Sequence, residues 1–148
     1  MLREFGVKGV KVYEVWGLNE ELLFLPLVLP QQGCVLADTF RSQPVYGMIF
    51  LFRYRGDDVN KQEASCPEHI WFANQTHNNA CATVSLLNIV NNIPDIDLGE
   101  HLRSFKNFTI DFTPALRGDQ IGNFEFVKQI HNSFARLVGL RILIDAVL

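Results

Sequence analysis

Apolar residues recur at steps of three and four through Ala80, Val84, Leu87, Val90 and Ile93, while Ala82, Leu86 and Ile89 add apolar surface on the other side. That spacing predicts a helix over about 80–92. A helix apolar nearly all round belongs inside a domain rather than on its surface. Asn78 and Asn79 stand just ahead of it as N-cap candidates, with side-chain oxygens for the free amides of the first turn. Leu98, Leu102, Phe105, Phe108 and Phe112 also repeat at helical steps. They predict an amphipathic helix over 98–112 that lays an aromatic stripe on the core. Gly118 to Gly122 reads as a turn, after which Asn123 caps a helix from Phe124 to about Leu137, with Val127, Ile130, Phe134 and Leu137 inward.

Elsewhere the pattern is that of strands. VYGMIFLFRY, residues 45–54, is rich in aromatic and branched side chains and apolar on both faces, as expected in the centre of a sheet. VKVYEVW, residues 10–16, alternates, with Val10, Val12, Glu14 and Trp16 on one side. Leu140 to Leu148 is apolar enough for another strand. A helical turn capped by Asn19 follows the 10–16 strand, and 57–68 is a polar surface loop. Residues 26–42 mix Pro26, Pro30 and Gly33 with apolar side chains and support no regular element. The fold class expected is α/β, in the α+β sense: central strands flanked by helices.

A chain of 148 residues, nearly half hydrophobic and a fifth charged, fits one soluble globular domain. A formal charge of −3 without a basic cluster leaves no footprint for nucleic acid. The longest apolar run is too short to cross a membrane, and the first residues lack the form of a secretory signal. Cys34, Cys66 and Cys81 form no metal spacing and no even disulfide set, which fits a reducing compartment, cytoplasm or nucleus.

Cys81 falls on the first turn of the 80–92 helix. There the positive end of the helix dipole favours thiolate over thiol. Gln75, six positions earlier on the approaching loop, offers an amide to the oxyanion formed when a thiolate attacks a carbonyl. A cysteine in an apolar helix is more often a small core residue, and spacing alone does not separate the two readings. Such a nucleophile needs a base, usually histidine. Of the four histidines, His69 and His101 read as solvated, His77 shares the loop of Gln75, and His131 lies on the 124–137 helix as a hydrogen-bonded structural residue.

The wording around Cys81 adds a further pointer. FANQTHNNACAT resembles the active-site signature of the ubiquitin C-terminal hydrolases, papain-like cysteine deubiquitinases. GVKGVKVYEVWGLNEELL (6–23) and PVYGMIFLFRYR (44–55) are similar to earlier blocks of that family. VKQIHNSFAR (127–136) is similar to the helix before its active-site crossover loop, worded as in its longer, proteasome-associated branch. The resemblance implies that Cys81 is the nucleophile and that Gln75, with the Cys81 N–H, forms the oxyanion hole. It implies hydrolysis of the bond after the C-terminal glycine of ubiquitin, no metal or organic cofactor, and ubiquitin, ubiquitinated proteins and the proteasome as partners. None of the four histidines matches the family's base, and RLVGLRILIDAVL (136–148) matches neither the segment carrying that His nor the one carrying its Asp. The chain therefore resembles a partial catalytic domain over 1–148, cut at both ends and carrying a non-family insert at about 26–42. The implied activity of such a chain by itself is low. The alternative is a non-catalytic ubiquitin-binding or regulatory fragment of the same fold. An ordinary papain-type protease would carry a Gly-Ser-Cys-Trp-like context, unlike Asn-Ala-Cys-Ala-Thr.

Overall fold

The computed structural model describes residues 1–10, 12, 45–50 and 63–134. The chain divides into two units, Met1–Gly9 with Ile49–Leu148, and Val10–Met48. The first contains the helices and both predicted site residues. All but Val10 and Val12 of the 10–16 strand, the 26–42 insert and the 140–148 strand lie outside the described residues.

Helix α1 is Cys81–Val90, with Thr83, Val84, Leu87 and Val90 buried. The helix was expected to be buried nearly all round, but Leu86 and Ile89 are half-buried and Ala82 is exposed, so only one face is enclosed. The N-cap is Ala80 rather than Asn78 or Asn79, and no side chain caps the first turn. Asn79 instead adopts a left-handed conformation, φ 63°, which asparagine tolerates better than most residues. It turns the chain into the helix through its backbone rather than through a side-chain hydrogen bond.

Helix α2, Gly99–Phe108, is shorter than the aromatic stripe implied. Just past its last residue the backbone carbonyls have side-chain partners. Arg117 Nε donates to Thr109 O at 3.0 Å and its Nη2 donates to Ile110 O. Thr109 folds its own hydroxyl back to Phe105 O at 2.8 Å. Leu102 and Phe105 are buried, whereas Phe108 is 63% exposed and meets Phe112 at the surface.

Helix α3, Pro114–Asn123, occupies the stretch expected to be a turn. Thr113 caps it in an extended conformation and accepts from Leu116 N, with proline in the first turn, where its missing N–H costs nothing. Gly118 and Gly122 therefore lie inside a helix. Asn123 closes α3 instead of opening the next one. Phe124 separates them, and its carbonyl accepts from Lys128 N at 3.0 Å in α4, residues 125–134.

Among the described residues there is no strand, only one antiparallel bridge, Lys8 with Asp97. Residues 45–50, expected to begin the central strand, have no regular structure and are exposed, Val45 at 58% and Met48 at 65%. A strand forms only against a partner, and β-propensity measures fit to a half-buried pleated surface. Apolar composition alone does not make a strand.

The core of the first unit gathers Phe5, Trp71, Leu87, Leu102, Phe105 and Val127. Phe105 stacks on Phe124 with centroids 4.7 Å apart and meets Trp71 edge-on at 6.3 Å. Burial of such a ring is worth roughly 1.5–3 kcal/mol. Gly6 and Gly99, both at positive φ, pass back to back, and a Cβ on Gly99 would lie 3.3 Å from Gly6 O. That approach lets Lys8 N donate to Asp97 O at 3.0 Å. The Gly99 N–H and the Lys8 ammonium hold the Asp97 carboxyl below its ordinary range.

Candidate active site

The site is built on the segment Trp71–Asn74, which runs alongside α1 and, among the described residues, pairs with no strand. Side-chain amides of Asn88, on α1, and of Asn92, just past its end, satisfy the backbone of Ala73 and Trp71. Asn92 Oδ1 accepts from Trp71 N at 2.8 Å and Asn92 Nδ2 donates to Trp71 O at 2.7 Å. One turn earlier, Asn88 Oδ1 accepts from Ala73 N at 2.8 Å and Asn88 Nδ2 donates to Ala73 O at 3.0 Å. From Asn88 through the last residues of α1 to Asn92 the chain rises about 6 Å, and two residues of chain reach at most about 6.6 Å, so the two amides and the two backbone residues keep step.

Asn74 fastens the outer side. It is 5% exposed, its Nδ2 donates to Glu63 O at 2.8 Å, and its Oδ1 accepts from Glu63 N at 3.2 Å. Its backbone N donates to Pro114 O at 2.9 Å. The Asn74 carbonyl rests on Gly118, where any Cβ would overlap it and would come within 3.0 Å of Thr76 Cγ2. One turn along α3, the imidazole of His77 rests on Gly122 in the same way. Beneath the segment lies Arg117, 4% exposed, its guanidinium 5.7 Å from the Trp71 ring. Its Nη1 donates to Phe72 O at 3.2 Å and approaches Cys66 Sγ at 3.5 Å. Trp71 Nε1 donates to Thr109 Oγ1 at 3.0 Å.

The predicted pair sits at either end of the loop that follows. Cys81 is a free, exposed thiol on the first residue of α1, at the positive end of the helix and not in the core. Gln75 is exposed, and its Nε2 donates to His77 O at 3.1 Å. Among the described residues, no hydrogen bond joins Gln75 to Cys81.

The histidines are engaged elsewhere. His77 Nδ1 lies 2.9 Å from Thr76 Oγ1. His131, on α4, has Nδ1 2.9 Å from Thr83 Oγ1, two residues past Cys81, which is the hydrogen-bonded structural role read from the sequence. His101 stacks on Phe126 with centroids 4.4 Å apart, and His69 is exposed. Among the described residues, no three His, Cys, Asp or Glu are grouped to hold a metal ion, and no helix is long and apolar enough to cross a membrane.

Sequence reasoning missed Asn74, Asn88, Asn92 and Gly118. A signal for the asparagines existed. Asparagine is a poor residue for a helix interior because it competes for backbone groups. At position 88 of an otherwise apolar helix, and at 92 just past its end, it calls for a backbone partner outside that helix.

Comparison with known proteins gives a consistent picture. The family model described as ubiquitin carboxyl-terminal hydrolase, family 1, matches residues 1–141. The chain is 38% identical over 138 residues to ubiquitin carboxyl-terminal hydrolase ubh-4 of Caenorhabditis elegans, covering 92% of this chain and 38% of that protein. It is 37% identical over 134 residues to ubiquitin carboxyl-terminal hydrolase isozyme L5 of Dictyostelium discoideum, covering 90% and 34% respectively. The crystal structure of the Trichinella spiralis UCH37 catalytic domain bound to ubiquitin vinyl methyl ester matches with a TM-score of 0.62 at 33% identity, over 90% of this chain and 56% of that one. The chain spans well under half the length of those two curated relatives.

Proposed function

The chain belongs to the ubiquitin carboxyl-terminal hydrolases of family 1, and from that membership we propose that it carries the nucleophile half of a cysteine deubiquitinase site. The reaction is hydrolysis of the bond after the C-terminal glycine of ubiquitin. The observation that carries this reading is an exposed thiol, Cys81, on the uncapped first turn of α1, with Gln75 on the adjoining loop. Cys81 Sγ attacks the glycine carbonyl carbon, and the carbonyl electrons move onto oxygen. The Cys81 N–H and the Gln75 amide, once it leaves His77 O, donate to that oxyanion. Collapse of the adduct expels the amine and leaves an acyl-enzyme that water hydrolyses.

The general base is a separate matter. His77 and His131 are occupied by Thr76 and Thr83, and neither stands in the role the mechanism needs. General-base help is worth roughly 10²–10⁴ in rate, so the described part turns over slowly by itself. The same reading includes a papain-like central sheet, ubiquitin and ubiquitinated proteins as partners, the proteasome as a docking partner, and a place in cytoplasm or nucleus.

The test is covalent capture by a ubiquitin bearing a C-terminal vinyl methyl ester. The expected result is a single adduct that disappears in Cys81→Ala. Ubiquitin affinity without adduct formation would support the non-catalytic ubiquitin-binding reading instead, to which the engaged histidines lend some weight.

A further inference from the structure

We infer that Asn88 and Asn92 are positioning residues for the oxyanion hole, acting through the backbone they hold. The inference rests on the deubiquitinase reading of Cys81 and Gln75. Each amide donates to the carbonyl and accepts from the N–H of one residue, all four bonds lying between 2.7 and 3.0 Å. A single hydrogen bond leaves a segment free to pivot. Two antiparallel bonds to one residue fix both its distance and its orientation, and two such residues fix the register of the segment along the helix.

The helix so registered carries the nucleophile, and the segment carries Gln75. Asn92 pairs with Trp71 and Asn88 with Ala73, a step of two residues along the segment for one turn toward the start of α1. A further step of the same kind brings Gln75 level with the first turn, where Cys81 stands. The asparagines thus set how far along α1 the Gln75 amide arrives, without touching substrate. Asn74 and Gly118 hold the outer side of the segment, so it cannot compensate by drifting away from the helix. Misplacement of a reacting or stabilising group by about 1 Å costs on the order of 10²-fold.

The experiment separates ground-state binding from the tetrahedral adduct. Full chains are titrated with ubiquitin and with ubiquitin carrying a C-terminal aldehyde, which adds the Cys81 thiol to give a hemithioacetal whose oxygen occupies the oxyanion position. For Asn88→Asp and Asn92→Asp, aldehyde affinity is expected to fall about 10- to 100-fold relative to wild type, with ubiquitin affinity held within about twofold. A carboxylate still accepts from the backbone N–H but cannot donate to the carbonyl. Protonation restores the donor, so the deficit relative to wild type shrinks as pH falls through the carboxylate range. A role confined to stability would not produce that pH-dependent split between the two ligands. A cooperative urea transition in each variant shows that it remains folded, and alkylation of Cys81 by iodoacetamide at the wild-type rate shows that the thiol is still accessible. Wild-type aldehyde affinity in both variants would overturn the inference and leave the deubiquitinase reading standing. A wild-type chain that binds ubiquitin and its aldehyde equally, while iodoacetamide still alkylates Cys81, would overturn both.

Discussion

Two regions meet around α1 and are built on opposite principles. On one side, Phe105 and Phe124 stack with planes 2° apart, and Phe126 leans on both Phe124 and Phe5. On the other, Asn74, Asn88 and Asn92 lace the Trp71–Asn74 backbone to its neighbours through directed amide bonds. Burial of rings is large in energy but poor in direction, since a ring slides by a few tenths of an ångström at little cost. A net hydrogen bond contributes only about 0.5–1.5 kcal/mol, yet it dictates where its partners sit. Stability is concentrated in the first region and geometry in the second.

The largest effect expected on this contrast comes from Phe105→Ala. Removing the buried ring costs about 3–5 kcal/mol, read as a shift of the urea midpoint. The protein that remains folded in low urea keeps the wild-type ratio of aldehyde to ubiquitin affinity. A change in that ratio without a loss of stability would erase the distinction between the regions.

Gly118→Ala is expected to cost less but to move the site. Alanine gains about 1 kcal/mol over glycine in a helix interior, but here its methyl group overlaps the Asn74 carbonyl, and overpacking against backbone costs about 1–3 kcal/mol. The net effect is destabilising, with slower capture by the ubiquitin vinyl methyl ester. At Gly122→Ala the nearest atoms are those of the His77 imidazole, an exposed side chain that can swing aside at the cost of its bond with Thr76, and the change is expected to stabilise. The opposite signs sharpen the comparison, because only the glycine that faces the laced segment is needed as glycine.

The smallest effect is that of acid on Asp97. Its carboxyl is held below the ordinary range by the Gly99 N–H and Lys8. A depressed carboxylate contributes stability that is present above its unfolded pKa and lost as pH falls through its folded one. The difference in urea midpoint between wild type and Asp97→Asn is therefore expected to be greatest near neutrality and to close on acidification. A difference that widened in acid would reverse the assignment.

The sequence was most legible where periodicity and burial agree. Ala80, Val84, Leu87, Val90 and Ile93 recur at helical steps, and all but the half-buried Ala80 are buried, although the helix is not enclosed on every side as its composition implies. Cys81 was read on the first turn of that helix, and it is there. Legibility failed where a tertiary partner overrides the local pattern. Phe108 and Phe112 continue the helical spacing, but α2 ends at Phe108 and Pro114, which has no N–H to donate to Ile110 O, opens the next helix. Gly118 and Gly122 have the local form of a turn, yet the Thr113–Pro114 pair starts a helix through them because a neighbouring backbone needs the room. At 45–50 the apolar run has the composition of a strand, but composition alone does not fix the conformation.

The asparagine contacts also carry a kinetic meaning. They join residues only 15 and 21 positions apart, and the segment, the loop and the nucleophile helix form one continuous stretch. Closing short loops takes on the order of a microsecond or less, whereas distant pairings form late. The Trp71–Asn74 segment is therefore expected to assemble against its own helix early in folding, ahead of the chain's more distant pairings.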